Sequence, residues 1–165
     1  MIQNKVAESE LVTLDLSIFL PKEQPLLFDI KDYLFRGLIL KEKDFRNALS
    51  THNWNDYKER TVLIFCSADA IVPVWAYMLI VANLYGITTS IFFENEATWR
   101  ERKIIESIDE LDISVYTDRR VVIKGCGEEK IPDAAYVSIT KKILPVVKSI
   151  MYGEPCSTVP IFKKK

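Results

Sequence analysis

Short β-rich apolar runs alternate with helical segments from residue 61 onwards, and this alternation constrains the fold more than any other feature of the sequence. The runs at 61–65, 88–93 and 120–124 are rich in Val, Ile and Phe, which is typical of buried strands. Strands that alternate with helices predict βαβ units with right-handed crossovers. We therefore expect an α/β fold in which helices cover both faces of a mostly parallel sheet, giving three layers.

Four segments show the apolar periodicity of helices. They lie at 41–50, from about 70 to 85, from 95 or 96 to about 111, and from about 132 to 152. Asp69 is placed to cap the second of these helices and Gly153 to end the fourth. The tail from 154 to 165 contains two prolines and is predicted to be extended.

The first fifty residues are less regular than the rest. Residues 11–20 alternate between apolar and polar side chains, with Leu14, Leu16 and Ile18 on one face, which predicts a half-buried strand. Residues 26–30 predict a second strand. We expect these N-terminal strands to be antiparallel and to lie at the edge of the sheet.

Length and charge limit the number of domains and the kinds of partner. A chain of 165 residues, 48% of them apolar and 27% charged, has the size and composition of one ordinary globular domain. No linker or low-complexity segment interrupts it, so we expect a single domain over residues 1–165. The net charge of −1 creates no strong field, which argues against binding to nucleic acid.

Residues 70–93 contain no charged side chain, which raises the question of a membrane-spanning helix. Pro73 and Gly86 interrupt the stretch, whereas a spanning helix needs about 20 consecutive apolar residues. We therefore expect a buried helix followed by a buried strand, and no membrane association. The N-terminal residues lack the apolar core of a signal peptide, so we expect a cytoplasmic protein.

Two segments of the chain resemble each other. RTVLIFC at 60–66 aligns with RVVIKGC at 120–126 with an offset of 60 residues, and Pro-x-x-Ala-Tyr at 73–77 recurs at 132–136 with an offset one shorter. Each unit is a strand, a cysteine, a short loop and a proline that suits the first helical turn. The similarity indicates either an internal repeat or the preferences that all strand-loop-helix units share.

The three cysteines follow predicted strands or the last predicted helix. Cys66 and Cys126 lie at the carboxyl ends of strands, which is where ligands of open α/β sheets bind. Cys156 lies in the tail, which must return to this edge for all three thiols to converge there. Three cysteines cannot all pair within one chain, and a reducing compartment favours free thiols or metal ligands over disulfides.

A cluster of Cys66, Cys126 and Cys156 would suit a thiophilic metal. Thiolates bind zinc, copper(I) and iron–sulfur clusters, and a closed zinc site needs four ligands. Asp69 is the candidate fourth ligand, with Glu154, the single histidine His52, water or a partner's group as alternatives. No C-x-x-C pattern occurs in the sequence, so the metal, zinc or an iron–sulfur cluster, is not specified.

Two other functions stay open. Cys66 could be the nucleophile of a thiol-dependent enzyme, because the N-terminus of the following helix would stabilise its thiolate. Alternatively, the cysteines are inert, and the chain is a non-catalytic interaction module that forms a homodimer through its apolar helices.

Several longer motifs resemble one known family. They are FDIKDYL at 28–34, LILKEKDF at 38–45, CSADAIVPVWAYM at 66–78, VIKGC at 122–126 and GEPCSTVP at 153–160. They are similar to an uncharacterised bacterial family, domain of unknown function 2480, found mainly in Bacteroidetes, and the resemblance covers nearly the whole chain. The family carries no assigned activity. Its members are often encoded beside iron–sulfur assembly genes, so the resemblance implies a thiolate metal or cluster site and iron–sulfur assembly proteins as partners.

Overall fold

Strands and helices alternate along most of the chain. The computed structural model describes residues 11–125, 127, 129–154 and 157–165. The strands are β1 (Leu11–Asp15), β2 (Leu26–Asp29), β3 (Val62–Phe65), β4 (Ile91–Phe92), β5 (Arg120–Lys124), β6 (Ser149–Glu154) and β7 (Ser157–Lys163). The α-helices are α1 (Glu42–Thr51), α2 (Val74–Leu84), α3 (Glu96–Asp109) and α4 (Asp133–Ile143). Short 3-10 helices lie at Leu16–Phe19, Ile30–Tyr33, Trp54–Tyr57 and Ser114–Tyr116.

The described strands form two sheets, with the orders β1-β5-β6-β7 and β2-β3-β4. All neighbours are parallel except β6 and β7, which confirms a mostly parallel α/β fold. The N-terminal strands differ from the prediction, because β1 and β2 are parallel to their partners and the antiparallel strand is C-terminal. A two-residue connection such as that between β6 and β7 permits only an antiparallel pair, whereas β1 and β2 pair with strands far along the chain.

Contacts divide the chain into two compact units. The first unit combines Met1–Pro21 with Arg100–Lys165, and the second unit is Lys22–Trp99. In the first, α4 and the C-terminal part of α3 share a core with β1, β5 and β6. In the second, α1 and α2 share a core with β2 and β3. The expectation of a single domain over residues 1–165 stays a prediction.

The two units have the same internal architecture, displaced along the chain. Val62 pairs with Ile91 in the second unit and Val121 with Ile150 in the first, a displacement of 59 residues at both positions (121 − 62 and 150 − 91). Helix α2, which follows β3, and helix α4, which follows β5, bury side chains at equivalent positions. These fully buried residues are Ala76, Ile80 and Leu84 in α2, and Ala135, Ile139 and Ile143 in α4.

The turns that lead into β3 and β5 also repeat at a displacement of 59 residues. Glu59 and Asp118 both adopt positive φ, at 58° and 57°. The N–H of Glu59 donates to the carbonyl of Ile87, and that of Asp118 donates to the carbonyl of Val146. The matching register, burial and turns support an internal repeat over preferences that every strand-loop-helix unit shares.

The displacement of 59 residues corrects the offset of 60 that the two cysteines suggested. At a displacement of 59 residues, Cys66 of the second unit corresponds to Gly125 of the first. Cys126 lies outside the described residues, and its position in the sequence corresponds to that of Ser67. Cys66 and Cys126 are therefore one position apart in sequence when the two units are aligned at this displacement.

The helix predicted from Pro132 to Tyr152 is wrong beyond residue 143. Helix α4 ends at Ile143, and β6 begins six residues later at Ser149. Pro145 has no N–H to continue the helical hydrogen bonds. Gly153 therefore ends no helix; it lies within β6 at φ 119°, where a Cβ atom would come within 2.6 Å of the Ser157 carbonyl oxygen. From Ser157 to Lys163 the tail is extended, as predicted, and forms β7.

Two other local predictions are wrong. Asp69 does not cap α2, because the helix begins at Val74 with Pro73 in the N-cap position and no side-chain cap. The strand predicted over residues 11–20 ends at Asp15, whose carboxylate accepts the N–H of Ser17 and starts a 3-10 helix.

None of the helices among the described residues is long and apolar enough to span a bilayer. The most apolar one, α2, has 11 residues and a length of about 16 Å, roughly half the thickness of the hydrocarbon core of a membrane.

Replacing the fully buried Ile139 by Ala should lower the free energy of unfolding by about 2–5 kcal/mol, because a cavity would open between α4 and the first sheet. Urea titration followed by far-UV circular dichroism measures the change. The matched control is Val137→Ala on the exposed side of α4, which should shift the value by no more than about 0.5 kcal/mol. Equal effects of the two substitutions would contradict this packing of α4.

Candidate functional site

The carboxyl ends of β5 and β6 lie side by side in the first sheet. The two strands are parallel neighbours, and Ile123 pairs with Tyr152 in their register. Strand β5 ends at Lys124 and β6 ends at Glu154, so both ends reach the same edge. Cys126 and Cys156 each follow one of these ends by two residues in sequence, and both lie outside the described residues.

Two carboxylates belong to this edge. Asp15 ends β1 opposite Lys124 of β5, and its Oδ2 lies 3.5 Å from Lys124 Nζ. Hydrogen bonds from the backbone N–H and the hydroxyl of Ser17, and after them the Lys124 ammonium, hold the pKa of Asp15 below its usual value. Glu154 is half-buried at the end of β6. Two carboxylates, one of them paired with the Lys124 ammonium, thus lie at this edge, an arrangement that suits a cation better than an anion.

A cavity of about 330 Å³ opens beside this edge. It is lined by Ile123, Asp133, Tyr136, Thr140, Tyr152 and Ile161. The rings of Tyr136 and Tyr152 meet edge to face, with their centroids 5.7 Å apart. A Cβ atom at Gly125 would overlap the Tyr136 hydroxyl, so a glycine is needed for the tyrosine to lie over the end of β5.

Cys66 lies at the corresponding edge of the second unit. It follows β3 directly and is half-buried. Its Sγ donates a hydrogen bond to the Ala68 carbonyl at 3.6 Å, and α2 begins only at Val74, eight residues along the chain. The thiol's described hydrogen bond is therefore with its own loop, and it gives no support to activation by the N-terminus of α2.

Asp29 holds the loop after β3 against the end of β2. Its carboxylate accepts the N–H of Ser67 at 3.0 Å, the Ser67 hydroxyl at 2.6 Å and the N–H of Lys31 at 3.0 Å. Burial raises the pKa of Asp29, but these hydrogen bonds lower it more, so it lies below the usual value. In the alignment of the units, Asp29 corresponds to Asp15.

His52 belongs to an aromatic cluster in the second unit. Its Nδ1 lies 3.5 Å from the Tyr33 hydroxyl, and its Nε2 lies 3.1 Å from the Tyr57 hydroxyl. Burial raises the pKa of both tyrosines. Phe28 stacks between Tyr33 and Trp54, with centroid distances of 5.3 and 5.7 Å. These contacts give no support to His52 as a catalytic base or as a metal ligand.

The second unit has a groove at the position equivalent to the cavity of the first. Its volume is about 410 Å³, and it is lined by Ile64, Val74, Tyr77, Val81, Ile91 and Phe93. Tyr77 and Phe93, the counterparts of Tyr136 and Tyr152, also meet edge to face, at 4.8 Å. The sequence predicted neither opening, although the recurring Pro-x-x-Ala-Tyr motif contains the tyrosine of each.

The described residues do not by themselves make a metal centre. No group of three or more His, Cys, Asp or Glu side chains that could hold a metal ion occurs among them. Asp69 is exposed in the loop after β3 and, like Cys66, belongs to the second unit. Cys126 and Cys156 belong to the first unit, so the convergence of all three cysteines stays a prediction.

Comparison with known proteins gives one family. A family model described as "Protein of unknown function (DUF2480)" matches residues 1–164. The chain therefore belongs to this family, which confirms the resemblance seen in the sequence. No curated protein and no solved structure matches the chain. Because the family description names no activity, function must be argued from the residues at the two sheet edges.

Substituting Gly125→Ala should lower the free energy of unfolding by about 1–3 kcal/mol, because the new methyl group displaces Tyr136 from the end of β5. Gly127→Ala is the matched control. A Cβ there would meet no atom within 4 Å, so its effect should stay within about 0.5 kcal/mol. Chemical denaturation measures both, and a Gly125→Ala chain as stable as the control would contradict the contact.

Substituting Asp29→Asn should flatten the acid limb of the stability profile. The pKa of Asp29 in the folded chain is below its ordinary value of 3.8. The carboxylate therefore stabilises the fold above that value, and this stability is lost as the pH falls through the folded-state pKa. Urea titrations between about pH 6 and about pH 2 measure the effect. Identical pH profiles for Asp29→Asn and the unsubstituted chain would contradict it.

Proposed function

We propose that this member of the DUF2480 family is an accessory protein of metal or iron–sulfur handling, and that Cys126 and Cys156 bind the metal. One observation carries the proposal. The parallel neighbours β5 and β6 end at the same edge of one sheet, and each cysteine follows one of those ends by two residues in sequence. In α/β sheets this edge is the usual place for ligands.

The chain lengths permit a shared ligand. Neighbouring strands lie about 4.8 Å apart, and an extended chain advances about 3.3 Å per residue. With two residues of chain beyond Lys124 and Glu154, both thiolates could therefore reach one ion at a zinc–sulfur distance of about 2.3 Å. Gly125 and Gly127 flank Cys126, and glycines allow the backbone to come close to a ligand.

The surrounding charges suit a cation bound by thiolates. Asp15 and Glu154 supply carboxylates at this edge, and the Lys124 ammonium offsets one of them. Two thiolates leave coordination positions open for a carboxylate, water or a group from another protein. An incomplete set of protein ligands is characteristic of sites where ligands exchange. It suits delivery to iron–sulfur assembly proteins better than a purely structural metal.

Two narrower hypotheses can be tested with the same variants. If Cys66 is a third ligand and Asp69 a fourth, as the sequence predicts, substitution of either residue should also release the metal. If Cys66 is instead the nucleophile of a thiol enzyme, its alkylation should be selective and pH-dependent, and independent of bound metal.

The proposal predicts that protein purified without oxygen contains near-stoichiometric zinc, or iron with a visible thiolate-to-metal absorption band. Cys126→Ser and Cys156→Ser should each lose most of the metal, because serine is a poor ligand for a thiophilic ion. Cys66→Ser serves as the matched control. Elemental analysis and the absorption spectrum measure the outcome, and circular dichroism verifies the fold of each variant.

Different outcomes separate the alternatives. Retention of metal by Cys66→Ser would restrict the site to Cys126 and Cys156, and its loss would support a three-cysteine site. Retention of metal by the triple-serine chain would refute thiolate binding altogether.

A further inference from the structure

Helix α2 is apolar around its whole circumference. Of its 11 residues, only Asn83 carries a polar amide, and that amide donates to the carbonyl of Leu79 within the helix. A helix of this kind is expected to be covered on every side. One side of α2 does pack into the core of the second unit, but the opposite side is open.

The open side carries a group of large exposed apolar side chains, which we call the α2 patch. Its members, with exposed fractions of 45–93%, are Ile71, Val74, Met78, Val81, Tyr85 and Phe93. Val74, Met78, Val81 and Tyr85 follow the spacing of one helix face. Val74, Val81 and Phe93 also line the groove of about 410 Å³, so the patch combines a ridge with an adjoining hollow.

The internal repeat shows that the fold does not require an apolar residue at every position of this surface. At the positions of Val74 and Val81, helix α4 carries Asp133 and Thr140 at the displacement of 59 residues. The last turn of α4 carries Lys141 and Lys142, whereas α2 has no charged side chain. At the positions of Met78 and Tyr85, α4 also carries exposed apolar residues, Val137 and Leu144. The two helices therefore share a buried face and differ in part of the outer face, and the core does not explain the apolar residues Val74 and Val81.

The size of the α2 patch fits an interface. The two aromatic members, Tyr85 and Phe93, are 90% and 73% exposed, which at roughly 150–250 Å² per aromatic side chain is on the order of 300 Å². The four aliphatic members, Ile71, Val74, Met78 and Val81, add to this area. A standard interface takes about 800 Å² from each partner, whereas the largest apolar patch on a typical monomer is about 300–600 Å².

The absence of charge narrows the choice of partner. Residues 70–93 contain no charged side chain, so the α2 patch has nothing with which to select a charged segment of another protein. A two-fold axis would instead bring two identical apolar surfaces together, with no like charges facing each other. We infer that the α2 patch is the interface between two copies of this chain, with α2 packed against its symmetry mate.

The inference predicts a reversible dimer of the full chain. Sedimentation velocity over a range of micromolar concentrations should show a monomer–dimer equilibrium. Met78→Glu and Tyr85→Glu should each raise the dimer dissociation constant at least about tenfold, because a carboxylate would be buried in the interface. Val137→Glu, at the exposed position of α4 equivalent to Met78, is the matched control and should leave the equilibrium unchanged.

Three outcomes would overturn the inference. They are a monomer at every concentration, a dimer that both glutamate variants keep, and a monomer that sediments with neutral phospholipid vesicles. Tyr85 is 90% exposed and lies just beyond the last residue of α2, so its substitution tests the interface even if Met78→Glu disturbs the fold. None of these variants alters a cysteine, so the result is independent of the metal proposal.

Discussion

Each of the two units depends on the packing of one helix against two parallel strands. In each unit an alanine in the first turn of the helix, Ala76 or Ala135, is fully buried in the same core as the strand residues. A residue this small lets the helix approach the sheet closely. The next residue, Tyr77 or Tyr136, then lies at the carboxyl edge of the sheet, where it lines an opening. The core packing thus fixes the position of the two candidate ligand-binding surfaces.

Much of the fold could be predicted from the sequence, where one local pattern had a single interpretation. Strand β5 was predicted with its observed bounds, and β2 and β3 each to within one residue, because short runs of apolar β-formers lie between clear breaks. The segment 144–152 was assigned to a helix because its apolar residues fit a helix and a strand equally well. The division into two sheets could not be predicted from the composition of the sequence, because no linker separates the two units.

The candidate site was predictable only in part, for a similar reason. The placement of Cys66 after a strand follows from local sequence and agrees with the structure. The contact between Asp29 and Ser67 joins residues 38 positions apart, and the tyrosine neighbours of His52 come from both sides of it in the chain. Such pairings depend on strand order, which the sequence does not reveal. The overlap between a Cβ at Gly125 and Tyr136 is likewise visible only once the helix is packed on its sheet.

The division into two units has a spectroscopic consequence. The tryptophans of the chain are Trp54, Trp75 and Trp99, and all three belong to the second unit. The first unit, to which Cys126 and Cys156 belong, has tyrosine as its only intrinsic fluorophore besides phenylalanine. Trp54 and Trp75 pack against the core of the second unit, whereas Trp99 lies in α3 at the boundary between the two units in the sequence. The emission of Trp54 and Trp75 is therefore a local reporter of the second unit, and a change in it on binding of a colourless ion such as zinc in the first unit would show that the second unit responds.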